Sequence, residues 1–264
     1  MESNTIHLPV RQYTIYILGF LLASASVHAQ KTIIINDSLV VNADRLEVNM
    51  GSLWMGKIKK FSFGEYTMIS SKVGATIERS KSNLFETKTE SKSSKKFSFV
   101  LNNSRTDTAS VNAGIHSTMV HTVRKIAVIN GWSIGDDDLT ESNNFTSMII
   151  INSDTTDIWV LFIGGTNHNG VGNYQSYLTN GKRKVLLTLA SSNKMIQHTS
   201  VLNAVGYEFF ENEKSLCALQ YFGGIGKQTN IIWLHNGLDA KMKLILSAAM
   251  TVVLLVSSPM SPIH

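Results

Sequence analysis

Proline is nearly missing from this chain: of three in 264 residues, Pro9 lies near the start and Pro259 and Pro262 at the end. The 249 residues between Pro9 and Pro259 therefore hold no proline-stiffened linker, and no Gly/Ser-rich break replaces one, so two independently linked domains are excluded. Cysteine is as scarce. Cys217 stands alone, which rules out an intrachain disulfide, and its flanks Ser215-Leu216 and Ala218-Leu219 read as the interior of a strand. Charged residues make up only 16% of the chain against 43% hydrophobic, a balance that excludes a disordered class.

The spacings that carry chemistry are missing as well. No His-x-His, His-Glu-x-x-His or Gly-x-Ser-x-Gly occurs, and His116 and His121, five apart, fall on opposite faces of a strand. Gly223-Gly224-Ile225-Gly226-Lys227-Gln228 has the wrong spacing for a phosphate loop and no Ser or Thr after the lysine. Asp136-Asp137-Asp138 with Glu141 lacks the alternation and central glycine of a calcium loop. No catalytic residue, metal ligand or cofactor is therefore implied.

What is present begins with an export signal. Arg11, the apolar run 13–23 and Val27-His28-Ala29 before Gln30 form the charged, hydrophobic and cleavage regions of a signal peptide over residues 1–29. The expected product is one β-rich domain, 30–264, in a secreted or periplasmic location.

The mature chain carries twelve to fourteen strand signals separated by turn residues. The sharpest are a hairpin of 58–63 with 66–70 across Gly64-Glu65, another of 145–151 with 158–163, and a third of 204–210 with 216–222. Thr32–Ile35, Asp37–Val41 and Leu46–Met50 also read as strands, and Gly135–Asn144 as a polar loop. No strand-helix-strand repeat appears, so the expected class is all-β.

One helix closes the chain. Asp239 is its N-cap, Pro259 stops it, and residues 239–257 carry Leu, Ile, Met, Val and Ala on every side of the wheel. Its uncharged part, Leu244–Val256, is shorter than the ~20 residues of a membrane span, and Lys241 and Lys243 precede it rather than follow it. The expectation is a buried core helix and no integral span in the mature chain. It would be enclosed by an antiparallel β-barrel, or alternatively packed on a β-sandwich.

A long series of antiparallel strands followed by the apolar helix Leu238–Val256 resembles the tubby C-terminal-like family, which includes LURP-one-related and phospholipid scramblase-type proteins. The resemblance implies a closed barrel of about twelve strands around the helix. No motif in 30–237 aligns residue by residue, so the family's phosphoinositide or membrane-surface binding is carried to no position here. The stretch Trp54-Met55-Gly56-Lys57 with Phe61-Ser62-Phe63-Gly64 is also similar to uncharacterised secreted bacterial proteins.

Charge supplies the one directional signal. Between Lys57 and Lys96 lie nine lysines and Arg79 against four glutamates, a surplus of six that accounts for the whole net charge of +5. If Lys59, Lys81, Lys88, Lys92 and Lys95 share a face, they create a positive field for anionic lipid head groups or acidic glycans. Export argues against nucleic acid. The expected role is thus non-enzymatic binding, with a barrel carrier of a small apolar ligand and a hydrolase with a dispersed site as alternatives.

Overall fold

The computed structural model describes residues 32–82, 88–104, 107–128, 132–164, 175–193, 203–223, 229–259 and 261–263. The expected signal peptide, residues 1–29, lies outside the described residues. Two helices, α1 (Asp37–Asn42) and α2 (Ala240–Ser257), accompany β1 (Ala43–Glu47), β2 (Ser52–Trp54), β3 (Lys57–Lys59), β4 (Ser62–Phe63), β5 (Tyr66–Val73), β6 (Ile77–Ser82), β7 (Lys88–Asn102), β8 (Thr108–Val128), β9 (Trp132–Ile151), β10 (Asp154–Gly164), β11 (Ser176–Thr179), β12 (Lys184–Ser191), β13 (Val205–Glu211), β14 (Lys214–Phe222) and β15 (Ile231–His235).

Twelve of these strands follow one antiparallel path, β1-β15-β14-β13-β12-β11-β10-β9-β8-β7-β5-β4, with β6 added on β7. The two ends of the path meet. Just beyond β1, the Asn49 N–H donates to the Ser62 carbonyl at 2.9 Å and the Ser62 N–H returns to the Asn49 carbonyl at 3.0 Å. A single sheet that nearly closes on itself is a barrel, and the sandwich alternative is set aside.

The barrel is filled by α2. Asp239 caps it by accepting from the Met242 N–H at 2.8 Å, and thirteen of its eighteen residues are buried, including every one from Leu244 to Leu255. It packs against β8 and β9 on one arc of the wall and β14 on another, with four strands between β9 and β14. The helix is long and apolar enough to cross a bilayer by length and composition, yet the surrounding strands bury it. An apolar helix without a polar face requires such an enclosure. The tail continues the filling, with Ile263 in the same core, the Ser261 hydroxyl on the Leu255 carbonyl at 2.7 Å and the Ser258 hydroxyl on Asn230 Oδ1 at 3.1 Å. The carrier alternative needed a lumen free of the helix, and that space is occupied.

Strands β13 to β15 read as apolar runs rather than alternations because they are covered on both faces. Inside lies α2; outside, Ile33, Ile35 and Leu39 pack on Ala190, Ala204, Ala218, Ile231 and Trp233. Two buried polar side chains fix this outer cover. The Gln220 side chain accepts from the Ile33 N–H at 3.1 Å and donates to the Thr229 carbonyl at 3.2 Å, while Glu208 accepts from the Asn36 N–H at 2.9 Å and the Ser215 hydroxyl at 2.5 Å. The segment expected as a strand over Asp37–Val41 is the short helix α1, started by Asn36, whose side chain accepts from the Ser38 N–H. Cys217 sits between these layers, and burial first, then the Glu208 charge, pushes its thiol well up from the ordinary range. A buried neutral thiol is packing, not a nucleophile.

A second departure concerns β9. Gly135–Asn144, expected as a polar loop, is strand, and β8 pairs with β9 without interruption from Ala109↔Ile151 to Val128↔Trp132. The burial of Phe97, Ala113 and Phe145 marks where the inward side chains of β7, β8 and β9 enter the core. From Ser117 to Val128, β8 continues for about 40 Å of extended backbone past that level.

At the opposite end, charge pins the start of α2 to the wall. Lys241 Nζ lies 2.7 Å from both Asp154 and Asp157 at the β9–β10 turn, and Arg183 holds Glu211 through two hydrogen bonds of 2.7 and 2.6 Å. The hydrogen bond from Lys241 is the chief cause that lowers Asp154 to about 2 and also lowers Asp157, while that from Arg183 lowers Glu211. Carboxylates depressed in the folded state contribute stability that is complete above their unfolded values and is lost as pH falls toward the folded ones. The melting temperature should therefore drop as pH falls from about 5 toward 2. Lys241→Met should flatten that profile, as read by circular dichroism melts; an unchanged profile would mean that these contacts do not hold in solution.

Candidate anion-binding trough

Residues directly opposite in an antiparallel ladder share a face, so register decides which cations meet. On β6, β7 and β8 the pairs Arg79↔Lys92, Lys92↔Thr118, Ile77↔Ser94 and Ser94↔His116 fall on the side away from Phe97 and Phe99, which point into the core. They line a shallow groove of about 330 Å³ that includes Arg79, Lys92, Ser94, His116 and Thr118. Two and four residues further along the same face of β7 come Lys96 and Ser98. With Lys72 and Asn112 they line a second hollow of about 220 Å³, and Ser98, Asn112, Ser70 and Ser110 line a third of about 330 Å³.

The second and third hollows share Lys72, Ser98 and Asn112, and the first precedes them along the same face of β7, so the three line up as one trough on the outer wall. Its sides are hydroxyls and amides; its charged rim is Lys72, Arg79, Lys92 and Lys96, all exposed. Glu90 tempers the charge through an exposed ion pair of 2.8 Å with Lys92. Arg79 and Lys92 nevertheless stand directly opposite each other, an arrangement that disfavours the folded ladder unless an anion lies between them.

The five lysines singled out from sequence are distributed differently. Lys92 lies in the trough. Lys81 is on the same face, opposite Glu90, and the backbone of Lys88 pairs with Thr122. Lys59 is on β3, opposite Ser52, in the separate two-stranded β2–β3 sheet. Lys95 corrects the expectation of a single face: one residue out of phase with Lys92, it points with Phe97, and its ammonium donates to the Ile263 carbonyl, tying down the tail. Lys72, Arg79, Lys96 and His116 were not singled out. The even-numbered spacing of 92 and 96 was readable, but the pairing that brings Lys72, Arg79 and His116 beside them was not.

Among the described residues, no three of His, Cys, Asp and Glu gather in a way that could hold a metal ion. Comparison of the chain with protein-family models, with curated proteins and with solved structures finds no match.

Proposed function

We propose that this is an exported, non-enzymatic binding protein that attaches to anionic surfaces through the outer face of β5, β6, β7 and β8. The supporting observation is the gathering of Lys72, Arg79, Lys92 and Lys96, with His116, along a trough lined by Ser and Asn. Closely spaced phosphates, sulfates or carboxylates neutralise such a row, and the hydroxyls and amides donate to the same oxygens. The barrel supplies the rigid wall that carries the trough, and its helix-filled interior takes no direct part. A remote relationship to the tubby C-terminal-like family belongs to this proposal; it is supported by the twelve-strand path around an apolar terminal helix.

The test is retention on phosphatidylglycerol vesicles and on immobilised heparin at low and high salt. Binding at low salt and release at high salt are expected. Reversing charge at Lys92 and Lys96 together should weaken binding by roughly a thousandfold, at about 1 kcal/mol for each cationic side chain near an anionic surface and counting both its loss and its inversion. No retention on either matrix at low salt, or retention indifferent to the reversal, would overturn the reading.

A further inference from the structure

The β2–β3 hairpin carries a feature that the barrel does not use. Leu53, Trp54 and Met55 are consecutive and 41%, 59% and 84% exposed, so the hairpin ends in an apolar tip facing water. Its turn is Met55-Gly56, with φ of 48° and 71°. Both values lie in the left-handed region required by a two-residue hairpin turn, where Asn, Asp or Gly is usual at the first position. A methionine there strains the backbone and, being exposed, gains no packing in return.

The base of the hairpin is fixed. Ile58 is buried, its N–H donates to the Ser71 hydroxyl at 2.6 Å, and the Val73 N–H donates to the Gly56 carbonyl at 2.7 Å. The tip is therefore presented by a rigid root rather than waving on a loop. Two cations flank it on one face: Trp54 pairs across the ladder with Lys57, and Lys59, on the same face, pairs with Ser52. The Val73 bond also sets the tip beside the trough, because Lys72 precedes Val73 and the Gly74 N–H that follows donates to the Lys96 carbonyl at 2.8 Å.

We propose that this hairpin is a wedge that enters the interface of an anionic lipid bilayer, with Trp54 and Met55 among the upper acyl chains and Lys57 and Lys59 at head-group level. The inference rests on the anionic-surface reading and selects the bilayer as its source. An indole with an apolar neighbour, flanked by two ammonium groups, matches a boundary that is greasy below and negatively charged above. An acidic glycan would pair with the lysines but would offer nothing to an exposed methionine.

The experiment compares the full chain with Trp54→Ala and Met55→Asn on phosphatidylcholine vesicles with and without phosphatidylglycerol, and on heparin. Trp54→Ala should weaken binding to the anionic vesicles by at least about tenfold, since one buried aromatic side chain is worth that much. Met55→Asn creates the favoured Asn-Gly turn, so it should raise the melting temperature by roughly 2 °C while also weakening vesicle binding. A merely structural role would not move those two readouts in opposite senses. In a Trp132→Phe background, brominated acyl chains should quench the protein that retains Trp54 and leave its Trp54→Phe variant unquenched by comparison, because the remaining Trp159 and Trp233 are buried. If vesicle binding survives both tip variants but is lost on charge reversal at Lys92 and Lys96, the wedge is wrong and the anionic-surface reading stands. Retention on heparin alone makes a glycan the ligand and overturns the wedge; retention on nothing overturns both.

Discussion

Leu246→Asp is expected to abolish the folded barrel. Leu246 is fully buried in α2, in a lumen walled by strands, and among the described residues no Lys or Arg is buried in that apolar core to pair with a new carboxylate. An unpaired buried charge costs several kcal/mol even after relaxation, a large share of the ~5–15 kcal/mol that stabilises a typical domain. Leu246→Ala separates packing from charge. It should lower stability by about 2–5 kcal/mol through lost burial and the cavity left behind, with folding retained. Urea titrations followed by near-UV circular dichroism would report both. An aspartate variant with the wild-type midpoint would show that the helix does not occupy the lumen in solution.

The same helix shows why part of this fold was legible in the sequence. Residues 244–255 have no polar side, and the only soluble arrangement for such a segment is enclosure, which in turn demands a surrounding wall. The hairpins over 145–163 and 204–222 were equally clear because their apolar runs end at turn residues. The ribbon over 135–144 was not, since its Asp, Ser, Thr and Asn leave no apolar alternation to detect. Asp37–Val41 misled for the opposite reason. Leu39-Val40-Val41 has strand-forming composition, but Leu39 alone is buried, Asn36 caps the turn, and Glu208 holds the Asn36 N–H from β13.

The candidate trough was half legible by the same physics. Lysine surplus is a property of composition, so the basic region stood out without any structure. Which lysines act together depends on phase along β7, which placed Lys95 inside and Lys92 and Lys96 outside. It depends too on long-range pairing, which no local pattern encodes. His116 joins Ser94, and Lys72 joins Ser98, only through ladder register.

Gly206→Ala should produce the largest loss of stability of any single-methyl change in the sheet. Between Val205 and Gly206 the register of β13 on β14 shifts, and at that irregularity the strands approach so closely that a Cβ on residue 206 would lie 1.9 Å from the Leu219 carbonyl oxygen and 2.9 Å from its carbon. Both are backbone atoms in a ladder buried on both sides, so no rotamer can relieve the clash and β13 must move. Overpacking of this kind costs about 3 kcal/mol, or roughly 10 °C in melting temperature for a domain of this size. Gly181→Ala is the matched control: its φ of +83° is strained for alanine, but nothing lies within 4 Å of the added methyl. It should cost only about 1 kcal/mol. Thermal melts of the two variants side by side test the barrel wall itself, because a Gly206→Ala protein as stable as Gly181→Ala would mean that β13 and β14 do not pair in this register and that the closed path around α2 is wrong.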